Sequence, residues 1–287
     1  MTTSATGEVA RATTGAVESA GKTATTGATT TSGYIRPRPL DDPALRVIGF
    51  HHAGGSAAVY YPLARELPAD WDLVLLDLPG RGKRHAEPLR QSLPELVELI
   101  AGEVRPWTDV PYAIFGHSLG AVIAIEVARA LEHGASSPPA WVGVSGRAAP
   151  SFQGHLRGRL YELDDDSLLS ELISMGGTPE RIQNAPAFVE HFLRVARVDL
   201  RAVDSYAPHP DRPPISSPVT VFGGDADPRA PKHMLSAWSR ETTGQVRQRL
   251  FPGGHFYFLG EAFAAFARQL VEEAALAARR KATDLPQ

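Results

Sequence analysis

Ser118 stands at the centre of Gly116-His117-Ser118-Leu119-Gly120, a G-x-S-x-G pentapeptide. Asp225 and Asp227 lie in Gly224-Asp225-Ala226-Asp227-Pro228, and His255 follows Gly253-Gly254. A serine hydroxyl is a poor nucleophile near neutral pH. It needs a histidine to take its proton and a carboxylate to orient that histidine. The chain supplies the three in the order serine, aspartate, histidine. Asp227 precedes Pro228, which favours extended backbone and would aim its carboxylate across the sheet top. Asp227 is therefore favoured as the acid, with Asp225 the alternative. Attack on a carbonyl also creates an oxyanion that needs two donors. Leu119 N–H, directly after the nucleophile, is one. Ala53 N–H, in the small-residue run His51-His52-Ala53-Gly54-Gly55-Ser56, is the other, with His52 as its near competitor. His51 and His52 read as loop-packing residues rather than as a second base.

These groups must be positioned by elements that can be read around them. Residues 112–115 are four apolar residues, expected as a buried strand, and residues 121–131 are expected as a helix stopped near Gly134. Strand, tight turn and helix form the context a nucleophile elbow requires. A chance match in a chain with 26 glycines is the competing explanation; the flanking elements argue against it. Further strands are expected at 46–50, 73–77, 141–145, 219–222 and 246–251, and helices at 59–67 and 93–104, on a helix around Trp238, and at 262–277. Strands with continuous apolar character alternating with helices indicate a parallel sheet covered on both faces. Residues 151–214 break this rhythm. They hold no convincing strand and two helical pieces, 166–175 and 187–206. That length exceeds one crossover and predicts a helical lid inserted over the strand ends.

Composition excludes several classes. Net charge is −3, 43% of residues are hydrophobic and 21% charged, and cysteine is absent. This is the profile of a soluble globular protein. It gives no electrostatic case for nucleic acid or an anionic membrane, and it rules out thiolate chemistry and disulfides. The longest apolar region contains His117, Glu126 and Arg129, so a buried helix is expected there, not a membrane span. Residues 1–33 are rich in Thr, Ala, Gly and Ser and lack an apolar signal core, so a disordered tail is expected. One domain over 34–280, frayed residues 281–287, a monomer and a cytoplasmic location complete the expectation.

Five segments, taken in order, resemble the type II thioesterases, the stand-alone editing enzymes of polyketide and nonribosomal peptide assembly lines. They are Phe50-His51-His52-Ala53-Gly54-Gly55-Ser56, Leu78-Pro79-Gly80-Arg81-Gly82, Gly116-His117-Ser118-Leu119-Gly120, Gly224-Asp225-Ala226-Asp227-Pro228 and Pro252-Gly253-Gly254-His255-Phe256. The likeness spans about residues 46–270. It implies an α/β-hydrolase fold with a mostly parallel central sheet, helices on both faces and a helical lid. It implies a triad of Ser118, Asp227 and His255. It further implies hydrolysis of acyl groups from the phosphopantetheine arm of an acyl or peptidyl carrier protein, with no cofactor or metal. His51 departs from the family, which usually has proline there. Arg81, Lys83, Arg84, Arg157 and Arg159 suggest a docking face for an acidic carrier protein, and Leu168, Leu172, Met175, Phe188 and Phe192 suggest walls of an acyl channel. Two rival readings are a carboxylesterase or lipase with the same triad, and a catalytically silent hydrolase-fold binding protein.

Overall fold

The computed structural model describes residues 33–134, 136–152, 158–178 and 183–283. The tail expected at 1–33 falls outside these apart from Gly33, as do residues 284–287. Seven strands form one sheet in the order β1-β3-β2-β4-β5-β6-β7. They are β1 (Tyr34–Ile35), β2 (Leu45–Phe50), β3 (Trp71–Leu76), β4 (Tyr112–His117), β5 (Trp141–Ser145), β6 (Val219–Gly224) and β7 (Val246–Phe251). All neighbours pair in parallel except β1 with β3. The antiparallel β1 was not legible: two residues carry no periodicity. Every residue of β2 to β6 is buried, which explains their mostly apolar character; the charged Arg46 and Asp72 pair with each other across β2 and β3 at 3.2 Å. The edge strand β7 is partly exposed along its length.

The strand pleat sends alternate side chains to opposite faces. Ile48 and Phe50 join the core beneath α1 (Leu93–Val104) and α2 (Leu119–His133). Leu45 and Val47 join the other, under α6 (Phe263–Thr283). Ser92 caps α1 by accepting the Glu95 N–H, with Pro94 in the first turn, as its sequence leads one to expect. Two helical expectations need correction. Residues 57–65 wind as a 3-10 helix containing Pro62 rather than an α-helix, because proline removes an N–H that an α-helical ladder would use. Trp238 lies on a short 3-10 segment, Ser236–Arg240, after the one-turn α5 (Lys232–Leu235). The helix α6 continues to Thr283, past the residue 280 boundary expected from sequence.

Between β5 and β6 lie α3 (Asp165–Ser174) and α4 (Pro186–Asp204). They share a small apolar cluster of their own, built on Leu160, Leu168, Leu172, Leu193, Ala196 and Leu200. Both ends of this excursion are fastened at one carboxylate. Glu241 accepts the Ser151 N–H at 2.9 Å, Arg212 at 2.9 Å and Arg129 of α2 at 2.8 Å. Glu126 completes the group, taking Arg129 at 3.1 Å and also pairing with Arg212. The Glu241 side chain is only 2% exposed. Removing one partner of a buried ionic cluster strands the others' charges, so Glu241→Ala is expected to lower stability by about 3–5 kcal/mol. Urea unfolding of this variant against the exposed Glu98→Ala would check it; equal midpoints would show that the cluster does not hold the excursion.

Candidate active site

The elbow is built from three close approaches. Ser118, between β4 and α2, has φ 54° and ψ −112°, and it is the one described non-glycine residue with positive φ. A β-carbon at Gly116 would lie 1.9 Å from the Gly120 carbonyl oxygen, and one at Gly120 would lie 2.2 Å from the Phe50 carbonyl oxygen. Neither position tolerates a side chain. The Ser118 N–H donates to the Ser145 carbonyl at 2.8 Å, tying the elbow to β5. Leu119 opens α2, where backbone N–H groups have no intrahelical acceptor. Such free donors favour negative charge beside the serine.

His255 and Asp227 come from two loops zipped together. Asp225 N–H donates to the Phe251 carbonyl at 2.8 Å and Ala226 N–H to the Gly253 carbonyl at 2.9 Å. Asp225 is exposed, and its carboxylate accepts the Gly253 N–H at 3.0 Å, so it caps this junction. Asp227 is buried and accepts from His255 Nδ1 at 2.9 Å through one oxygen and from Arg229 N–H at 2.8 Å through the other. Burial works against the Asp227 charge, but the His255 hydrogen bond and charge outweigh it and hold its pKa below the usual carboxylate range. An ionised Asp227 makes Nδ1 the donor and leaves His255 Nε2 free to accept a proton. Ser118, His255, His52 and Ala53 line one cavity of about 310 Å³.

The loop carrying Ala53 is held from three sides. His51, which departs from the proline usual in the resembled family, is buried; its Nδ1–H donates to the His52 carbonyl at 2.8 Å and its Nε2 accepts the Leu78 N–H at 3.2 Å. That pair of bonds requires the neutral ring, and burial pushes its pKa well down. Asp199 of α4 accepts the Gly54 N–H at 2.8 Å. The same carboxylate is gripped by both Arg81 terminal nitrogens, one at 2.8 Å. Arg81 and Asp199 are both buried. α4 itself presses on the loop, since a β-carbon at Gly54 would meet Phe192 at 3.0 Å and Ala196 at 3.1 Å. Sequence reading missed Asp199, although a signal existed: it sits among Val195, Ala196, Leu200 and Val203, on the buried stripe of its helix, where an unpaired charge would be prohibitively unstable.

This clamp overturns part of the docking face. Arg81 holds Asp199, and buried Arg84 holds Glu87 at 2.6 Å and Glu103 at 2.9 Å. Both cations are consumed inside the protein. Lys83 is exposed and donates to the Tyr34 carbonyl, exposed Arg159 pairs with Glu162, and Arg157 lies outside the described residues. Of the expected channel residues, Leu172, Met175, Phe188 and Phe192 line the cavity. Leu168 does not; it is wholly buried between the excursion's own elements.

A family model described as a thioesterase domain matches residues 46–273. The chain belongs to the thioesterase family. Thioesterase PikA5 of Streptomyces venezuelae is 36% identical over 223 residues, 77% of this chain and 78% of the relative. The type II thioesterase BorB from the borrelidin biosynthetic cluster superposes with a TM-score of 0.77 at 33% identity, covering 86% of this chain and 100% of BorB. RedJ, a thioesterase from the prodiginine pathway of Streptomyces coelicolor, gives 0.74 at 34% identity over 83% and 97%. The resemblance to type II thioesterases and the α/β-hydrolase fold are thereby borne out. This thioesterase is a serine-based hydrolase, and enzymes of its family act without a cofactor. Among the described residues, no helix is long and apolar enough to cross a membrane, and no group of three His, Cys, Asp or Glu is placed to hold a metal.

Two predictions follow from these contacts. Burial pushes the pKa values of His51, His52 and His117 down from 6.5, that of His52 to about 3 with help from His255 and Arg81. The unfolded chain takes up these protons below pH 6.5 while the folded chain does not, so stability falls as pH drops below 6.5. Each histidine contributes at most about 1.4 kcal/mol per pH unit. Denaturant titrations at pH 8, 6.5 and 5 test this; equal stability at all three would refute it. Asp199→Asn weakens the grip on Arg81 and Gly54 together. Displacing a loop beside a reacting centre by a fraction of an ångström lowers kcat about 10–100-fold, and kcat is expected to fall more than KM rises. An unchanged kcat would show that the clamp does not position the loop.

Proposed function

We propose that this thioesterase removes acyl groups from the phosphopantetheine arm of carrier proteins, as an editing enzyme of a polyketide or nonribosomal peptide assembly line, through Ser118, His255 and Asp227. The observation that carries the reading is the Asp227–His255 hydrogen bond in the same cavity as the strained Ser118. Relatives add support, since BorB belongs to the borrelidin biosynthetic cluster and YbtT, at 28% identity and TM-score 0.76, is a type II thioesterase from the yersiniabactin nonribosomal peptide and polyketide pathway.

In this mechanism Ser118 Oγ attacks the thioester carbonyl while His255 takes its proton, and Asp227 stabilises the resulting imidazolium. The N–H groups of Ala53 and Leu119 receive the oxyanion. The tetrahedral adduct collapses with loss of the pantetheine thiol, protonated by His255. A water molecule then gives its proton to His255 and attacks the acyl-serine, and the acid leaves as Ser118 regains its proton. Thiolate is a better leaving group than amide nitrogen, so less acid assistance is needed than in a protease. Residues 151–214 act as the lid over the cavity, its apolar side chains receiving the acyl chain.

Mass spectrometry of acyl-loaded carrier protein tests the proposal. Wild type is expected to strip the acyl group and Ser118→Ala to lose at least about 10³-fold in turnover while keeping the native circular dichroism and melting temperature. Undiminished hydrolysis by Ser118→Ala would remove the nucleophile, and rapid turnover of alkyl oxygen esters with none of the thioester would favour an esterase.

A further inference from the structure

The lining of the catalytic cavity mixes two kinds of side chain. Leu172, Met175, Phe192 and Leu200 are apolar, and Arg147, Asp204 and Arg229 are charged. Three charges in an acyl pocket call for an account, because saturated chains gain nothing from them.

Arg147 and half of Asp204 account for each other. Arg147 Nη2 donates to Asp204 Oδ1 at 2.8 Å, and the Arg147 carbonyl accepts Trp238 Nε1 at 2.8 Å, which fixes the residue's backbone. The Asp204 side chain is 10% exposed. Its second oxygen, Oδ2, is buried and has no hydrogen-bond partner. Arg229 is half-buried, and among the described residues its guanidinium makes no hydrogen bond or ion pair. Its backbone is anchored two residues beyond the triad acid, through the N–H bond to Asp227 at 2.8 Å. Burial lowers its pKa, with Asp204 the leading opposing influence. The cavity lining therefore includes an unused acceptor and an unused donor whose charges act on each other.

The chemistry of the missing partner follows from the donor and acceptor inventory. A carboxylate on the substrate satisfies Arg229 but brings no donor and repels Asp204. An ammonium satisfies Asp204 but brings no acceptor and faces two guanidinia. A methylene satisfies neither. A hydroxyl donates to Asp204 Oδ2 and accepts from Arg229 at once. We propose that Asp204 and Arg229 form a polar subsite that recognises a hydroxyl on the acyl chain, so that hydroxyacyl thioesters are preferred over saturated ones of equal length. This rests on the reading that Ser118 attacks a thioester in this cavity. The pantetheine arm also carries a hydroxyl, so the test separates the two sources.

The experiment compares kcat/KM for 3-hydroxybutyryl and butyryl thioesters of N-acetylcysteamine, which lacks the pantoyl hydroxyl, and of pantetheine, with wild type, Arg229→Met and Asp204→Asn. Two hydrogen bonds to charged groups are expected to favour the hydroxyacyl N-acetylcysteamine substrate by about tenfold or more. In both variants that ratio should fall towards one. A wild-type ratio near one overturns the proposal without recourse to variants. A ratio retained in Arg229→Met and Asp204→Asn, with both substrates slowed alike, overturns it in favour of a purely structural role. Loss in the variants of a preference for pantetheine over N-acetylcysteamine with butyryl, and no hydroxyacyl preference, assigns the subsite to the arm and overturns the acyl assignment. A wild type that hydrolyses no thioester refutes the reading of the site itself, and this proposal with it.

Discussion

The whole molecule is arranged so that one residue can hold a backbone conformation it would not choose. Ser118 sits at positive φ without being glycine, a state costing on the order of 1–3 kcal/mol that persists only where its surroundings over-determine it. Here the surroundings are backbone on every side: the Gly120 carbonyl against Gly116, the Phe50 carbonyl against Gly120, and the Ser145 carbonyl receiving the Ser118 N–H. Those groups belong to β2, β4, β5 and α2, the centre of the sheet. The buried, mostly apolar strands are thus the fixture that keeps the serine raised, and the alternation of strand side chains between two cores is what keeps that fixture stiff.

Around this fixture, buried ion pairs join segments distant in sequence. Arg81 and Asp199 connect the turn after β3 to α4, and through Gly54 they reach the loop that carries Ala53. The neutral His51 stitches the same loop to Leu78. A buried ion pair is weak evidence for stability but strong evidence for register, because a partner lost from it leaves a charge without water. The loop that carries Ala53 is therefore held by groups with few alternative partners, and its backbone N–H groups are fixed in place.

The parts legible from sequence were those written in local pattern. Continuous apolar runs gave the parallel strands, and Ser118 between a strand and a helix gave the elbow. Two aspartates on one loop could not be separated by pattern, since both follow the same strand; the choice depends on loop pairing, where Asp225 is occupied by Gly253 and Asp227 meets His255. The arginines misled for a related reason. A cation after a proline–glycine turn reads as solvated, and only the three-dimensional neighbourhood reveals that Arg81 faces Asp199 118 residues away. Asp204 and Arg229 were equally unreadable, because an unmet donor and an unmet acceptor are properties of a cavity, not of a spacing.

Glu241 gives the excursion between β5 and β6 a single root. The chain departs beside it at Ser151 and returns to it at Arg212. A segment closed at its base is a cassette, and lengthening such a segment costs little entropy, since closure grows only with the logarithm of its length. The excursion can then vary in length and lining while the sheet beneath keeps its serine, provided each variant keeps a carboxylate for Arg81.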